Sequence, residues 1–516
     1  MSKCTYLVAL LMAVVCSACS FFVFQQNENI GQLTILHWND FHAQNIPYDV
    51  TVSDSATGIE QTYKVGGTAN LLSYMNHHRR GKSHVAVLNA GDDFQGTPIS
   101  SISRGRSQID LLNIIAPDAM VLGNHEFDYG LENLKENIKV ATYPILAANL
   151  YDSTAGMTFA PPYVVKQCGG VKIGIIGLLP PDLSILTLTE NLAGTTMLNI
   201  DSVVTIYANQ LKNQYEVDLV VILSHMGFDQ DTSLAMRRGD IDVIVGGHSH
   251  TPLFKPFKKN RTIICQSGSR GRYLGKLDLT VDLMGDSVLT HTGELIETKL
   301  GVYPIDSVTE TKVLAFEKLV DEELSEVIGT LAVDWKRSSI SESNIGNWEA
   351  DVMREFAGTD IALMNSGGLR KDLRAGPITR RDIWEINPFG NTFVTFSISG
   401  DTLLRMLEWQ AARRGEFMQV SGLGYSFDPS QPSGKMVVEA RVNGAAIEPS
   451  KMYSIVTNNY VADHIRELLG IRDEFITSVS TNAIDRDVFI HHIEQHKTIS
   501  SRIEGRVIQI ENTNNR

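Results

Sequence analysis

Five short segments carry side chains that bind divalent cations, and each follows an apolar run. They are Trp38-Asn39-Asp40-Phe41-His42, Gly91-Asp92-Asp93, Gly123-Asn124-His125-Glu126-Phe127-Asp128, Ser224-His225-Met226-Gly227 and Gly246-Gly247-His248-Ser249-His250. Imidazole nitrogen combined with carboxylate and amide oxygen is a donor set that Zn²⁺, Mn²⁺ or Fe²⁺ accepts. Asp40 and His42 lie two residues apart, as do His248 and His250. At an extended strand end each pair points to one side. Asp92 can place one oxygen on each of two ions, and Asn124 adds a neutral oxygen. Plainer readings exist for each segment. Asp92 or Asp93 could cap a helix, Asn124 could stabilise a turn with Gly123, and His225 could be a hydrogen-bonded core histidine. Singly the segments are weak, but all five in this order make coincidence a poor explanation.

The elements that must position them read as strands. Short β-branched runs alternate with helix-like stretches from Leu33 to about Leu300. The strand candidates are Leu33–Leu36, Val85–Leu88, Met120–Leu122, Ile145–Ala148, Val171–Leu178, Leu219–Leu223, Val243–Val245, Thr262–Cys265 and Lys276–Leu283. Such alternation indicates a layered α/β domain with sites at strand ends. From Asp306 to Ile328 apolar residues recur at Val313, Phe316, Leu319, Val320, Leu324 and Val327. That is helical periodicity, expected to form a connecting helix over 305–330. A second domain is expected over 331–510, with its own strands such as Thr392–Ile398 and Tyr453–Thr457. The polar tail Glu511–Arg516 is expected to fray.

With 516 residues the chain is too long for one core. Hydrophobic residues make up 43% and charged residues 20%, an ordinary globular balance. The net charge of -14 argues against a nucleic-acid polymer as partner. It leaves room for a small anion held through metal. Only Cys168 and Cys265 lie in the folded part, so this is not a disulfide scaffold; whether they pair stays open. At the N-terminus Lys3 precedes an uncharged run from Cys4 to Phe24, with small residues before Cys19. This is the pattern of an export signal. It resembles the lipobox of bacterial lipoproteins, which implies a signal over residues 1–18 and lipidation at Cys19. The alternative is an uncleaved anchor, since the run is about long enough to span a bilayer.

Together, Asp40-x-His42, Gly91-Asp92, Gly123-Asn124-His125-Glu126, His225 and Gly247-His248-x-His250 resemble the calcineurin-like metallophosphoesterase signature. The variant ending in Phe127-Asp128, with a second domain, is similar to bacterial 5′-nucleotidases and UDP-sugar hydrolases. The resemblance covers about Leu33 to Val507. It implies a four-layer β-sandwich with flanking helices over 33–300, joined by a helix to a smaller α+β C-terminal domain. It also implies two divalent ions, drawn from Zn, Mn, Co or Fe. Asp40, His42 and His250 would hold one, and Asn124, His225 and His248 the other, with Asp92 bridging. His125 would steady charge on the phosphoryl group, and Asp128 would orient its ring.

Two C-terminal segments carry the rest. Asn365-Ser366-Gly367-Gly368-Leu369-Arg370 combines a glycine turn with a bidentate cation. In Asn387-Pro388-Phe389-Gly390-Asn391 the ring could stack on a ligand or simply anchor a turn. By resemblance, Asn365, Arg370, Phe389 and Asn391 contact substrate, and Tyr460 supplies a second stacking ring. Two departures stand out. The family's Gly-Gly-Asp-Gly after that second aromatic is replaced by Val461-Ala462-Asp463-His464-Ile465, and Ser341 stands where an arginine is usual before Glu342-Ser343-Asn344. The expected activity is hydrolysis of nucleoside 5′-monophosphates in the periplasm or cell envelope. A broader phosphoesterase acting on UDP-sugars or 2′,3′-cyclic nucleotides, or a non-catalytic nucleotide-binding surface lipoprotein, are the alternatives.

Overall fold

The structure, a computed structural model, describes residues 29–53, 60–472 and 478–510. The signal over 1–18, Cys19 and the tail 511–516 lie outside the described residues. Among the described residues, no helix is long and apolar enough to cross a membrane. The chain divides into two compact units. The first holds residues up to Phe94, Gly105–Leu183 and Ala193–Val313. The second holds Gln95–Arg104, Ser184–Leu192 and everything from Leu314.

In the first unit, five strands carry the segments singled out above. They are β1 (Ile30–Trp38), β2 (Val85–Asn89), β3 (Ala119–Val121), β4 (Leu219–Ser224) and β5 (Val243–Val245). Strands β1, β2 and β3 run parallel side by side in one six-stranded sheet, with Trp38 opposite Asn89 and Asn89 opposite Met120. Strands β4 and β5 run parallel in a second six-stranded sheet, beside Val171–Leu178. Alternate residues explain how the sheets meet. Leu33 and Ile35 of β1, Ala86 and Leu88 of β2, and Val221, Leu223, Val243 and Val245 of β4 and β5 share one buried cluster. The opposite face of the second sheet, with Ile222 and Ile244, packs on Val204, Ala208 and Leu211 of the helix Ile200–Gln214. Trp38, on the other face of β1, shares a small cavity with Leu71 of one helix and Leu111, Leu112 and Ile115 of another. The result is helix, sheet, sheet, helix, as the α/β sandwich expectation required.

Cys168 and Cys265 are buried free thiols. They sit on strands separated by three others in the second sheet, so they do not pair. Burial raises both, to about 11 and about 12 respectively, which keeps them as thiols.

The connecting helix is shorter than its periodicity suggests. It covers Ser307–Leu324, and Val327–Leu331 is a strand that pairs antiparallel with Gly376–Thr379. In the second unit a five-stranded sheet is packed on both faces. Leu363, Phe396 and Ile455 face one cluster, with Leu403, Met406 and Leu407 of the helix Gly400–Ala411. Ala362, Phe393 and Val456 face the other, with Trp348 and Met353 of helix α1 (Asn344–Ala357) and Phe489 and Ile493 of helix α2 (Asp485–His496).

Candidate metal centre

The C-terminal ends of β1 to β5 deliver their segments to one place. Ligand-capable atoms of Asp40, His42 and His250 all lie within 4.8 Å of one another, as do those of His42, Asp92 and His125, and those of Asp92, His225 and His248. His42 Nε2 faces His250 Nε2 at 3.0 Å. Asp40 Oδ1 lies 3.2 Å from His250 Nε2 and 3.8 Å from His225 Nε2. Asp92 Oδ2 lies 3.1 Å from His225 Nε2 and 4.0 Å from His125 Nε2.

Backbone strain makes this convergence possible. Asp40, His42, Asp92, His248 and His250 all have positive φ, between 50° and 72°. Such conformations cost non-glycine residues roughly 1–2 kcal/mol each. Amide bonds between neighbouring loops hold them. Asp40 N donates to Gly91 O (2.8 Å) and His42 N to Asp92 O (3.0 Å). Gly123 leaves the space in which the Asp92 carboxylate sits, and a Cβ at Gly247 would meet Ala90 O at 2.6 Å.

Three buried side chains not assigned a role from sequence hold this frame. Glu126 accepts the backbone amides of Gly123, Asp92, Asp93 and Phe94, at 2.6 to 3.3 Å. Burial and the Asp92 charge push its carboxyl up to about 7, against the pull of those amides. Asn39 donates to Asp40 Oδ2 (2.5 Å) and Gly268 O, while its oxygen accepts from Ser267. Gln266 donates to Gly247 O (2.8 Å) and accepts from Ser249 Oγ (3.0 Å) and Thr251 N. It thus grips the His248–His250 turn from behind. Asn39 and Glu126 lie inside quoted motifs. Gln266 follows the strand Thr262–Cys265, so the same strand-end pattern could have found it.

The donors fit divalent cations. His225 Nδ1 lies 2.5 Å from Ala90 O, which places its proton there and turns the Nε2 lone pair toward the cluster. His225 Nε2 and Asn124 Oδ1 are both buried with no hydrogen-bond partner. Unpaired buried polar atoms are costly unless something else satisfies them. The charge pattern agrees. Burial is the largest influence on His225 and would lower it, but the Asp92 charge and hydrogen bond, the Asp40 charge and the Ala90 carbonyl together push the imidazole up to about 10. Burial would raise Asp92, but His225, His125 and His42 hold its carboxyl well below the usual range. Burial, then the His225 charge, brings His248 down to about 4. The buried acids thus draw in positive charge, a place that a metal cation can take in exchange for protons.

Beside this cluster, His125 Nδ1 lies 2.9 Å from Asp128 Oδ2, both side chains largely buried. The His125 amide also donates to Asp92 Oδ1 at 2.9 Å.

The substrate candidates lie in the second unit, in separate groups. Asn365 Nδ2 donates to Glu416 Oε2 (3.1 Å), and the Tyr460 hydroxyl donates to Glu416 Oε1 (3.2 Å). Glu416 also accepts the Gly367 amide, a linking role that sequence reading missed because it stands in no motif. The Arg370 guanidinium lies over the Phe389 ring at 5.8 Å. Asn391 is buried, and its carbonyl accepts the Asp485 amide. The segment replacing the glycine motif holds Ser184–Leu192. The Tyr460 hydroxyl, its one proton shared with Glu416, also lies 3.1 Å from Ile185 O, His464 Nε2 lies 2.9 Å from Thr187 O, and Asp463 accepts the Thr189 amide.

Known proteins agree with this architecture. Residues 33–252 match the calcineurin-like phosphoesterase family, and residues 327–468 match the 5′-nucleotidase C-terminal domain. An apyrase of Tabanus yao is 30% identical over 530 residues, covering 92% of this chain and 93% of its own. The human 5′-nucleotidase is 29% identical, over 92% of this chain and 90% of its own. The crystal structure of a 5′-nucleotidase precursor from Thermus thermophilus superposes with a TM-score of 0.83 at 30% identity, over 93% of this chain and all of that one. The chain therefore belongs to the 5′-nucleotidase family, as a metal-dependent phosphoester hydrolase built from a calcineurin-like phosphoesterase domain and the family's C-terminal domain.

Proposed function

We propose that this enzyme hydrolyses nucleoside 5′-monophosphates to nucleoside and inorganic phosphate at a two-ion centre. The observation that carries the reading is the convergence of five strand ends on one cluster that leaves Asn124 Oδ1 and His225 Nε2 unpartnered. Asp40, His42 and His250 would hold one ion, Asn124, His225 and His248 the other, and Asp92 would serve both. Zn, Mn, Co and Fe all suit this donor set. When bound, such ions supply Lewis acidity toward phosphoryl oxygen and lower the pKa of water.

The chain's own side chains do the rest. Asp128 fixes the His125 ring through Nδ1 and favours the imidazolium, whose Nε2–H can then donate to a phosphoryl oxygen as charge grows there. Glu126, Asn39 and Gln266 keep the ligands fixed, so little reorganisation is needed during reaction. In the second unit Asn365, Arg370, Phe389, Asn391 and Tyr460 recognise the nucleotide, with Arg370 for its anionic part and the rings for the base.

Phosphate release from AMP by chelator-treated protein, before and after adding back Mn²⁺, Zn²⁺ or Co²⁺, tests this. Turnover should vanish with chelator and return with metal. Folded, metal-loaded protein that releases no phosphate from AMP counts against it. A second reading, a wider range of phosphate esters, is favoured by the replaced glycine motif and by the apyrase relative. ADP, UDP-sugars and 2′,3′-cyclic nucleotides in the same assay separate the two. We also read residues 1–18 as an export signal and Cys19 as a lipid attachment point, which places the enzyme in the cell envelope.

A further inference from the structure

Helix α1 buries an acid. Glu349 is fully buried, and among the described residues it has no ion pair. Its Oε1 accepts from Asn387 Nδ2 at 2.7 Å. Its Oε2 and Asn387 Oδ1 are both buried with no hydrogen-bond partner. While the carboxyl is ionised, both of those atoms can only accept, and a buried charge held by one hydrogen bond is costly. One proton on Oε2 removes the charge and turns an acceptor into a donor. Burial, the largest influence, favours that proton; the Asn387 bond opposes it, and the charge of Asp485 on α2 supports it.

Asn387 opens the turn that carries Phe389 and Asn391, just after the helix Arg380–Ile386. Arg370 N donates to Ile386 O at 2.9 Å, so the Arg370 segment hangs on the same corner. The start of α2 grips this turn by its backbone. Arg486 Nη1 donates to Pro388 O (3.0 Å), and the Asp485 amide donates to Asn391 O (2.8 Å). Among the described residues, Glu349 is the partner of the Asn387 side chain. We propose that Glu349, as a protonated acid bonded both ways to Asn387, is a positioning residue for nucleotide binding that fixes the turn carrying Phe389. This rests on the reading of Phe389 as a ring that stacks on the base. Glutamine offers the same one donor and one acceptor as the acid, and it does so at every pH. Alanine offers neither.

Steady-state kinetics of the full, metal-loaded chain test this, with AMP and with glycerol phosphate, which has no base. Glu349→Ala should raise KM for AMP about three- to tenfold, the worth of one hydrogen bond, with kcat and KM for glycerol phosphate little changed. Glu349→Gln should restore KM for AMP. As pH rises and Glu349 loses its proton, KM for AMP should climb more in the unmodified protein than in Glu349→Gln. Asp485, brought up to about 7 by burial against the Arg486 charge, titrates in both proteins, so the difference between the two profiles belongs to Glu349. The infrared band of protonated carboxyl groups should also be weaker in Glu349→Gln than in the unmodified protein at neutral pH. If Glu349→Ala does not fold, the pH comparison and the band decide. Coincident pH profiles or an undiminished band overturn the proposal. So does a Glu349→Ala protein whose KM rises equally for both esters, which is a structural defect. Phe389→Ala separates the two readings. If it raises KM for AMP selectively and Glu349→Ala does not, base stacking stands and the positioning role falls. If neither variant is selective, base stacking falls with it.

Discussion

His125 is anchored from two directions. Asp128 holds its Nδ1 and Asp92 Oδ1 accepts its backbone amide, while its ring lies edge-on to His42 at 5.4 Å. A residue that stabilises developing charge, rather than holding an ion, can be removed without emptying the centre. His125→Ala is therefore expected to lower kcat by about 10²-fold or more while metal content stays the same. Loss of metal, by elemental analysis, would instead make it a ligand. Gln266 acts one layer back. It touches no substrate, yet it fixes the turn that carries His248 and His250 through Gly247 O, Ser249 and Thr251. Gln266→Ala should weaken metal affinity by about 10- to 100-fold. Equilibrium dialysis reads this directly, and saturating metal should restore most of kcat.

Among the elements, the parallel strands decide where chemistry can occur. Five of them end at one edge, and three, β1, β2 and β5, pass directly into loops with non-glycine residues at positive φ. Helix α1 carries a different kind of strain. Glu349 is fully buried, one oxygen accepts from Asn387 Nδ2 (2.7 Å), and the other has no partner. Burial raises its carboxyl well above the usual value, with the Asp485 charge adding to the shift. The group thus holds its proton to higher pH in the folded chain than in the unfolded one. Its contribution is complete below about pH 4 and is lost as pH rises toward the folded pKa. Denaturation midpoints between about pH 5 and pH 8 should therefore fall, by at most about 1.4 kcal/mol per pH unit from this group. Glu349→Gln keeps the Asn387 contact and should flatten that slope; an unchanged slope would place the effect elsewhere. Asn387 leads the loop of Phe389, so the same variant reports on how firmly that loop is held.

For the whole molecule, division of labour is the question. The candidate metal ligands and His125 lie in the first unit, and the nucleotide-recognition candidates in the second. If Phe389 reads the base, Phe389→Ala raises KM for AMP more than KM for a phosphate ester without a base. Equal changes would leave the ring a structural anchor of its turn, a role its contact with Arg370 also allows. The proposed envelope anchoring has its own check. If Cys19 carries a lipid, Cys19→Ser moves the enzyme from the membrane to the soluble fraction after cell lysis, with catalysis intact; an unchanged distribution removes the anchor.

Much of the centre was legible from the chain alone. Asp40, His42, Asp92, Asn124, His225, His248 and His250 follow apolar runs, and a parallel strand must release its chain at one edge. Strand positions were readable for the same reason, since a buried strand needs a continuous apolar run. The end of the connecting helix was not. Val327 fits its helical period, yet pairing with Gly376–Thr379 makes Val327–Leu331 a strand. Nor was the capture of Gln95–Arg104 and Ser184–Leu192 by the second unit, because contacts such as His464 with Thr187 join residues far apart in sequence. Local sequence determined which donors exist and which strands release them. Only the tertiary structure decided what braces them, because Glu126, Gln266 and Glu416 act through backbone amides and carbonyls brought together by folding.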